Sequence, residues 1–185
     1  MISSLTIAVF IAGSLGLAWV SRSSLAAPRS HGFYRFFAWE AILALTLLNL
    51  PVWFKEPLTW HQLISWVLLC ISVYLVIDGA ARLKRMGRQD AARADAPMLA
   101  FEKTTSLVKT GAYRYIRHPL YSSLLCLAWG VFFKAPGLVG LILAGAASIF
   151  LAITARIEEE ENLRYFGEEY REYTKKTWRF IPYVY

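Results

Sequence analysis

Two kinds of residue are scarce in this chain, and each scarcity excludes a class of protein. Charged residues make up only 18% of the 185 positions, whereas an average soluble domain has about 25%. The two cysteines, Cys70 and Cys126, lie in apolar runs without a CxxC pair or a Cys/His cluster, so neither a zinc site nor a disulfide framework is indicated. Hydrophobic residues fill 57% of the chain, and the mean hydropathy is +0.41. This composition favours a single-domain, all-α, polytopic membrane protein.

Five apolar segments are candidates for membrane-crossing helices, each of which needs about 20 mostly apolar residues. They cover residues 2–20, 36–54, 60–81, 119–133 and 138–155. The fourth is short and is followed by the turn signal KAPG, so we expect the last two segments to form a helical hairpin. The domain, 1–185, is thereby divided into three N-terminal spans (1–81), a linker with a polar motif (82–118), the hairpin (119–155) and a C-terminal segment (156–185).

The distribution of Lys and Arg predicts how the chain is oriented. With five crossings, the segments 22–35, 82–117 and 156–185 lie on one side and carry 18 of the 20 basic residues. The positive-inside rule then places the N-terminus outside and the C-terminus in the cytoplasm, in the inner membrane if the source is bacterial. Basic loops beside anionic headgroups account for the net charge of +7. Membrane lipids, and not nucleic acid, are therefore the expected partners.

Two polar motifs flank the hairpin on the expected cytoplasmic side. The first motif is GAYRYIRHPLY at 111–121, and the second motif is RIEEEENLRYFGEEYREYTKKTWRFIP at 156–182. Each has a plain structural interpretation: an aromatic belt at the membrane interface, a helix-starting Pro and a solvated acidic helix end. We favour a cleft between the motifs that faces the cytosol, with Arg114 and Arg117 outside it as anchors for lipid headgroups.

Helical spacing selects two residues within the second motif. Arg156 and Glu160 are four positions apart, so they share one helix face if the last span continues into the cytoplasm. Gly167 is expected to end that helix. A short amphipathic helix should follow, with Tyr170 and Tyr173 facing the membrane interface.

Together the two motifs resemble the isoprenylcysteine carboxyl methyltransferase family, which belongs with the phospholipid N-methyltransferases in a wider group of integral-membrane methyltransferases. The resemblance spans 107–182 and consists of G-x-Y-x-x-x-R-H-P-x-Y, then paired Glu, then F-G-x-x-Y. It implies that S-adenosylmethionine binds at the cytoplasmic face and that a methyl group passes to a lipid-like acceptor. No Gly-rich strand-to-helix turn is present in the sequence, which excludes a soluble Rossmann-type methyltransferase.

The resemblance also implies site residues by position. Arg156 matches the residue that the family assigns to the acceptor, and Arg156 and Glu160 are the implied catalytic pair. The sequence departs from eukaryotic members at Thr105, where those members tend to have His. The implied cofactor contacts are Thr105, Ser106, Leu107, Val108, Tyr113, His118, Pro119, Leu120, Tyr121 and Glu160.

The residue types suit methyl transfer from a sulfonium, which depends on positioning and electrostatics. Tyr113, Tyr121 and Glu160 provide the aromatic faces and the anion that a cationic cofactor needs. A carboxylate acceptor needs only orientation, for which Arg156 is suited as a bidentate clamp, whereas an amine must also lose a proton to a Glu or His. We expect carboxyl O-methylation of an isoprenylcysteine-type acceptor and no metal. N-methylation of a phospholipid or other amine, a membrane reductase and a non-enzymatic membrane module are the alternatives.

Two acidic residues lie inside predicted spans, where charge is unfavourable. Asp78 is expected to pair with Arg82, four residues on, near the cytoplasmic end of its span. Glu40 lies just inside the second span, near the same face. The linker at 87–102 matches no pattern of the family and is a candidate for shaping the choice of acceptor.

Overall fold

The computed structural model describes residues 3–87, 99 and 103–184. Within these ranges the chain forms seven α-helices and no strand. The helices are α1 Ser4–Val20, α2 Arg22–Leu25, α3 His31–Asn49, α4 Trp60–Met86, α5 Pro119–Phe132, α6 Leu138–Phe166 and α7 Glu168–Thr174. Two 3-10 turns, Leu50–Val52 and Gly111–Arg114, extend α3 and precede α5.

The predicted all-helical, polytopic architecture is confirmed. Among the described helices, α3 with its 3-10 extension, α4 and α6 are long and apolar enough to cross a membrane. The other two predicted spans are shorter apolar helices, α1 and α5. Helices α3, α4 and α6 extend past the apolar segments into polar sequence: α3 begins at His31, α4 ends at Met86 and α6 ends at Phe166.

The predicted hairpin is formed by α5 and α6. Pro119 occupies the first turn of α5, where its missing N–H leaves no intrahelical bond unmade. The KAPG sequence forms the connection before α6. Within this turn the Lys134 ammonium is buried, donates to Gln62 Oε1 at 3.0 Å and lies 3.1 Å from the centre of the Trp66 ring. This cation–π contact fixes the turn against the start of α4.

Small residues line the surfaces where the long helices meet. Helix α6 has a fully buried stripe that consists of Ala144, Ala147, Leu151 and Ala155. In a membrane no hydrophobic force drives helices together, and small residues at such a stripe allow the helix backbones to approach closely and pack. On α5, a Cβ added to Gly130 would lie 3.0 Å from Leu69 Cγ on α4. By contrast, α1 has no buried residue among those described, so it lies at the periphery of the bundle.

Polar contacts show which helix ends gather together. At one end of the bundle, His31 at the start of α3 contacts Glu161 near the end of α6. At the other end, the Asn49 amide at the end of α3 donates to the carbonyl of Val131 at the end of α5, at 2.9 Å. The helices therefore alternate in direction, and both polar motifs lie at the same end of the bundle.

The two acidic residues inside the spans hold local structure. Asp78 accepts from Arg82 Nε at 2.7 Å, which confirms the predicted pair. Its other oxygen accepts the backbone N–H of Ala112 at 2.9 Å, so it also holds the 3-10 turn of the first motif. Glu40 accepts from the Ser14 hydroxyl at 2.6 Å and thereby joins α3 to α1.

Candidate active site

The two polar motifs are joined through their backbones. Trp178 N–H donates to the carbonyl of Tyr115 at 2.9 Å, and Arg117 N–H donates to the carbonyl of Trp178 at 2.7 Å. His118 N–H donates to the carbonyl of Arg179 at 3.2 Å. This short parallel bridge brings the end of the second motif alongside the RHP sequence of the first, so the predicted pairing of the motifs is found in the structure.

Glu159 on α6 connects the same segments through its side chain. Its carboxylate accepts from Arg117 Nε at 2.7 Å and from Arg179 Nη2 at 2.7 Å, and it lies 3.3 Å from His118 Nε2. Arg117 also donates to the carbonyl of Thr177. The prediction that Arg117 anchors lipid headgroups is therefore wrong, because its guanidinium is engaged inside the protein. Arg114 is exposed and lies over the Tyr115 ring.

His118 lies between two carboxylates. Its ring is buried and stacks on Tyr121, with the ring centres 5.4 Å apart and the planes 15° apart. Nε2 is 3.3 Å from Glu159 Oε1, and Nδ1 is 3.8 Å from Glu158 Oε2. Both ring nitrogens thus face acidic groups of α6.

The tyrosines of α7 face inward. Gly167 ends α6 as predicted, with φ of 59°, a left-handed conformation that glycine adopts without steric conflict. The turn directs Tyr170 and Tyr173 into the protein, where both are buried and the Tyr173 hydroxyl donates to the carbonyl of Tyr113 at 2.6 Å. The prediction that they face the membrane interface is wrong. Burial raises the pKa of both phenols, and Glu159 and Glu158 raise the pKa of Tyr170 further, so both remain donors at neutral pH.

A small cavity lies where these elements meet. Its lining comes from α3, α4, the segment 104–108, the first motif, α6 and α7, and it encloses about 80 Å³. That volume is below the roughly 300 Å³ at which typical ligand pockets begin, so a nucleoside-sized ligand requires the lining side chains to move. Six of the ten expected cofactor contacts line it: Leu107, Val108, Tyr113, His118, Leu120 and Tyr121.

The remaining expected contacts lie beside the cavity or away from it. Pro119 is buried at the start of α5. Thr105 and Ser106 follow the lining residue Thr104, and their backbone N–H groups donate to the carbonyl of Gly87 at 2.9 and 3.1 Å. These three residues therefore adjoin residues of the cavity lining without belonging to it.

Arg156 and Glu160 share one face of α6 as predicted, but that face points away from the cavity. Both are exposed, and Glu160 lies 3.9 Å from Arg164. Glu158, Asn162 and Phe166 line the cavity instead. Helical phase is the reason, because a residue two positions from Arg156 or Glu160 lies nearly opposite on the helix. Catalytic and acceptor-binding roles for Arg156 and Glu160 stay predictions, and the structure gives them no place in the cavity wall.

The buried stripe of α6 carried a signal for the inward-facing residues. Its residues Leu151 and Ala155 are followed seven positions later by Glu158 and Asn162, which lie on the same face after two turns. His31 was also missed, although it lines the cavity. Nothing in the sequence around His31 distinguishes it from an interfacial residue, since its partner is 130 positions away.

An apolar groove lies on the other side of the first motif. It runs between α4 and α5, has a volume of about 1,000 Å³, and is lined by residues that include Ile71, Leu125 and Trp129. The 3-10 turn separates the two spaces: Tyr113 lines the cavity, whereas Arg114 lines the polar end of the groove. Its apolar lining and its volume suit an acyl or prenyl chain.

Within the described residues, no three His, Cys, Asp or Glu side chains are grouped so that they could hold a metal ion. The acidic residues of the second motif are instead paired with Arg and His.

Comparison with known proteins identifies the family. The model of the phospholipid methyltransferase family matches residues 60–169. The chain belongs to this family. The match covers α4, α5, α6 and the first residues of α7, and it confirms the predicted relationship to integral-membrane methyltransferases.

The matching curated proteins are methanethiol S-methyltransferases. The one from Pseudomonas deceptionensis is 26% identical over 80% of this chain and 53% of its own length. The one from Crocosphaera subtropica is 25% identical over 65% of this chain and 44% of its own length. The chain thus spans about half the length of the curated relatives it matches. No solved structure matches the chain significantly.

Proposed function

We propose that the protein transfers a methyl group from S-adenosylmethionine to a thiol acceptor at the cavity. The observation that carries this proposal is the aromatic and acidic lining formed where the two motifs of this methyltransferase family member join. The acceptor class is suggested by the relatives that act as methanethiol S-methyltransferases. Because the chain spans only part of them, the acceptor has to be established on this protein.

The lining residues fit the chemistry of the cofactor. A sulfonium is stabilised by aromatic faces and a nearby anion, and Tyr121, Phe166, Tyr170 and Glu158 line the cavity together. When bound, S-adenosylmethionine supplies an electrophilic methyl group with a neutral thioether as leaving group. Asn162 and the tyrosines of the lining carry hydrogen-bonding groups of the kind that suit the polar groups of the ligand.

Catalysis at this site depends on how the residues hold the reacting groups. Displacement at a methyl carbon needs the acceptor and the leaving sulfur in line, so positioning contributes most of the acceleration. The network of Glu159 with Arg117 and Arg179 holds the first motif and the C-terminal segment in one arrangement. We expect this network to keep the cavity wall rigid around Glu158 and His118.

The place of the cavity in the membrane follows from charge. Eighteen of the 20 Lys and Arg lie in the segments 22–35, 82–117 and 156–185. The described parts of these segments lie at the end of the bundle where the cavity lies. We infer that this end is cytoplasmic and open to a soluble cofactor, with the N-terminus outside and the C-terminus inside. In a bacterium the membrane is the inner membrane.

A second candidate is carboxyl O-methylation of an isoprenylcysteine-type acceptor. The apolar groove favours it, because about 1,000 Å³ beside the cavity is enough space for a long hydrocarbon chain. Arg156, the cation expected to orient the carboxylate, is exposed on the outer face of α6 and has no place in the cavity wall. A thiol acceptor does not need such a cation. N-methylation of a phospholipid amine is tested beside it.

Isothermal titration of the purified protein with S-adenosylmethionine and its demethylated product tests cofactor binding. Glu158→Gln should weaken binding about 10-fold, because one charge-assisted contact contributes roughly 1.4 kcal/mol or more. Glu160→Gln is the matched control: it makes the same change two positions away and should leave the affinity unchanged. Absence of binding by the unmodified protein contradicts the proposal. If Glu160→Gln weakens cofactor binding and Glu158→Gln does not, the cofactor binds at the Glu160 face of α6.

Labelled S-adenosylmethionine then separates the acceptor classes. A base-labile label indicates a methyl ester, a base-stable label on lipid indicates an amine, and a labelled thioether indicates a thiol. The third result is the one we expect.

A further inference from the structure

A His–carboxylate pair lines the cavity beside the elements already described. His31 is the first residue of α3, is 1% exposed and belongs to the cavity lining. Its Nδ1 lies 2.5 Å from Glu161 Oε2, and its backbone N–H donates to Glu161 Oε1 at 3.4 Å. A single carboxylate from α6 thus holds both the ring and the backbone of this histidine.

The contact with Glu161 determines how the imidazole can act. A carboxylate accepts, so Nδ1 carries the proton and Nε2 is the basic nitrogen of the neutral ring. The same carboxylate stabilises the imidazolium that forms when Nε2 takes up a proton. The positive end of the α3 dipole in turn stabilises the Glu161 carboxylate at that helix start.

The other two histidines lack this arrangement. His118 Nε2 lies 3.3 Å from Glu159, the carboxylate that also pairs with Arg117 and Arg179, so this ring belongs to the network that joins the two motifs. His61 lies at the opposite end of the bundle, between the Thr59 hydroxyl and the carbonyl of Phe133. Of the three, His31 is the histidine that lines the cavity with its Nδ1 held by Glu161.

We infer that His31, oriented by Glu161, is the general base for a protic acceptor, specifically a thiol; this inference rests on the proposed function. His31 Nε2 removes the proton from the S–H group. The thiolate sulfur forms a bond to the methyl carbon, the bond between that carbon and the sulfonium sulfur breaks, and its electron pair stays on the departing sulfur. The products are a methyl thioether, neutral S-adenosylhomocysteine and an imidazolium that returns its proton to water.

The base is needed for some acceptors and not for others. An alkyl thiol is mostly protonated at neutral pH, since thiols have a pKa near 8.5, whereas a carboxylate acceptor is already ionised. A dedicated base in the cavity therefore favours a protic acceptor over an isoprenylcysteine carboxylate. The other titratable groups that line the cavity with His31 are Tyr113, Arg117, His118, Glu158, Tyr170 and Tyr173.

The test compares two thiols with the purified protein and S-adenosylmethionine. His31→Gln should lower kcat/KM for an alkyl thiol about 100-fold, the lower limit typical for loss of a general base. An electron-poor aryl thiol, already a thiolate at pH 7.5, should lose far less, about 3-fold or less by the same reasoning. The affinity for S-adenosylmethionine, measured by titration, should stay within about 2-fold, a difference of roughly 0.4 kcal/mol.

Two further variants give the comparison its controls. Glu161→Gln keeps a partner for the ring but removes the charge, so the acid limb of the pH–rate profile should move to lower pH and the maximal rate should fall. This second readout applies even if His31→Gln does not fold. His61→Gln makes the same change at a histidine outside the cavity and should leave both thiols unaffected.

Three results would overturn the inference. Equal losses for both thiols indicate a structural role for His31, and loss of cofactor binding in His31→Gln places it in the cofactor site. An unshifted pH–rate profile in Glu161→Gln contradicts the conclusion that Glu161 supports His31 as the base. The proposed function fails separately, if the unmodified protein binds S-adenosylmethionine but methylates neither thiol.

Discussion

Replacing Glu159 with Ala should release the C-terminal segment from the first motif. The Glu159 side chain is 15% exposed, and its partners Arg117 and Arg179 are 12% and 20% exposed. Removing one partner of a buried ion pair costs about 3–5 kcal/mol because the remaining charges stay buried without compensation. Since these groups retain some contact with solvent, we expect about 3 kcal/mol, the lower end of that range.

Limited proteolysis reports this loss directly. Arg179 is held by the carboxylate and by the backbone bridge, so trypsin cleaves after it only when the segment opens. A change of about 3 kcal/mol raises the open population roughly 100-fold, and the rate of cleavage follows that population when reclosing is fast. Mass spectrometry of the digest over time measures the rate of cleavage after Arg179.

The neighbouring residue provides the control. Glu160→Ala removes the same group from a side chain that is 61% exposed and 3.9 Å from Arg164, an exposed pair that contributes about 0–1 kcal/mol. Its cleavage rate should change by no more than about 5-fold. Equal rates in the two variants would refute the conclusion that Glu159, and not Glu160, holds the two motifs together.

The remaining predictions concern packing and the α7 tyrosines. Gly130→Leu should destabilise the bundle by about 1–3 kcal/mol, because a Cβ there already lies 3.0 Å from Leu69 Cγ. A Cβ at Gly145 meets no heavy atom within 4 Å, so Gly145→Leu should be neutral or stabilising in thermal denaturation. Tyr173→Phe should cost about 1–3 kcal/mol in the same measurement, since it leaves the buried carbonyl of Tyr113 without its 2.6 Å donor. A Tyr173→Phe midpoint equal to that of the unmodified protein, or equal midpoints for the two glycine variants, would contradict these contacts.

Most of the helices and the hairpin follow from local signals. Apolar length predicts α3, α4 and α6, and the KAPG turn predicts the hairpin. Gly167 ends α6 because its φ of 59° suits glycine. The spacing of four between Asp78 and Arg82 correctly predicts their ion pair.

To predict which acidic residues of α6 face the cavity, the helical phase is needed as well as the spacing between residues. Arg156 and Glu160 do share a face, but Ile142 and Ile149 on that same face are exposed, which directs it toward lipid or solvent. The buried alanines of α6 lead instead to Glu158 and Asn162. Position within the acidic run therefore gave the region of the site but not the residue that lines it.

Contacts between distant segments were beyond the reach of local patterns. His31 meets Glu161 across 130 positions, and Arg117 meets Glu159 across 42. An arginine beside an apolar segment resembles a headgroup anchor until its partner is known. Long-range pairing of this kind depends on which helices are neighbours, and a single sequence carries little information about that.

One measurement tests the central claim most directly. The purified protein in lipid vesicles is incubated with an alkyl thiol and S-adenosylmethionine that carries a deuterated methyl group, and the products are analysed by mass spectrometry. The account predicts a thioether with the intact deuterated methyl group, formed by the unmodified protein and about 100-fold more slowly by His31→Gln. A deuterated methyl group found on a lipid amine or in a base-labile ester, with no labelled thioether, would contradict it.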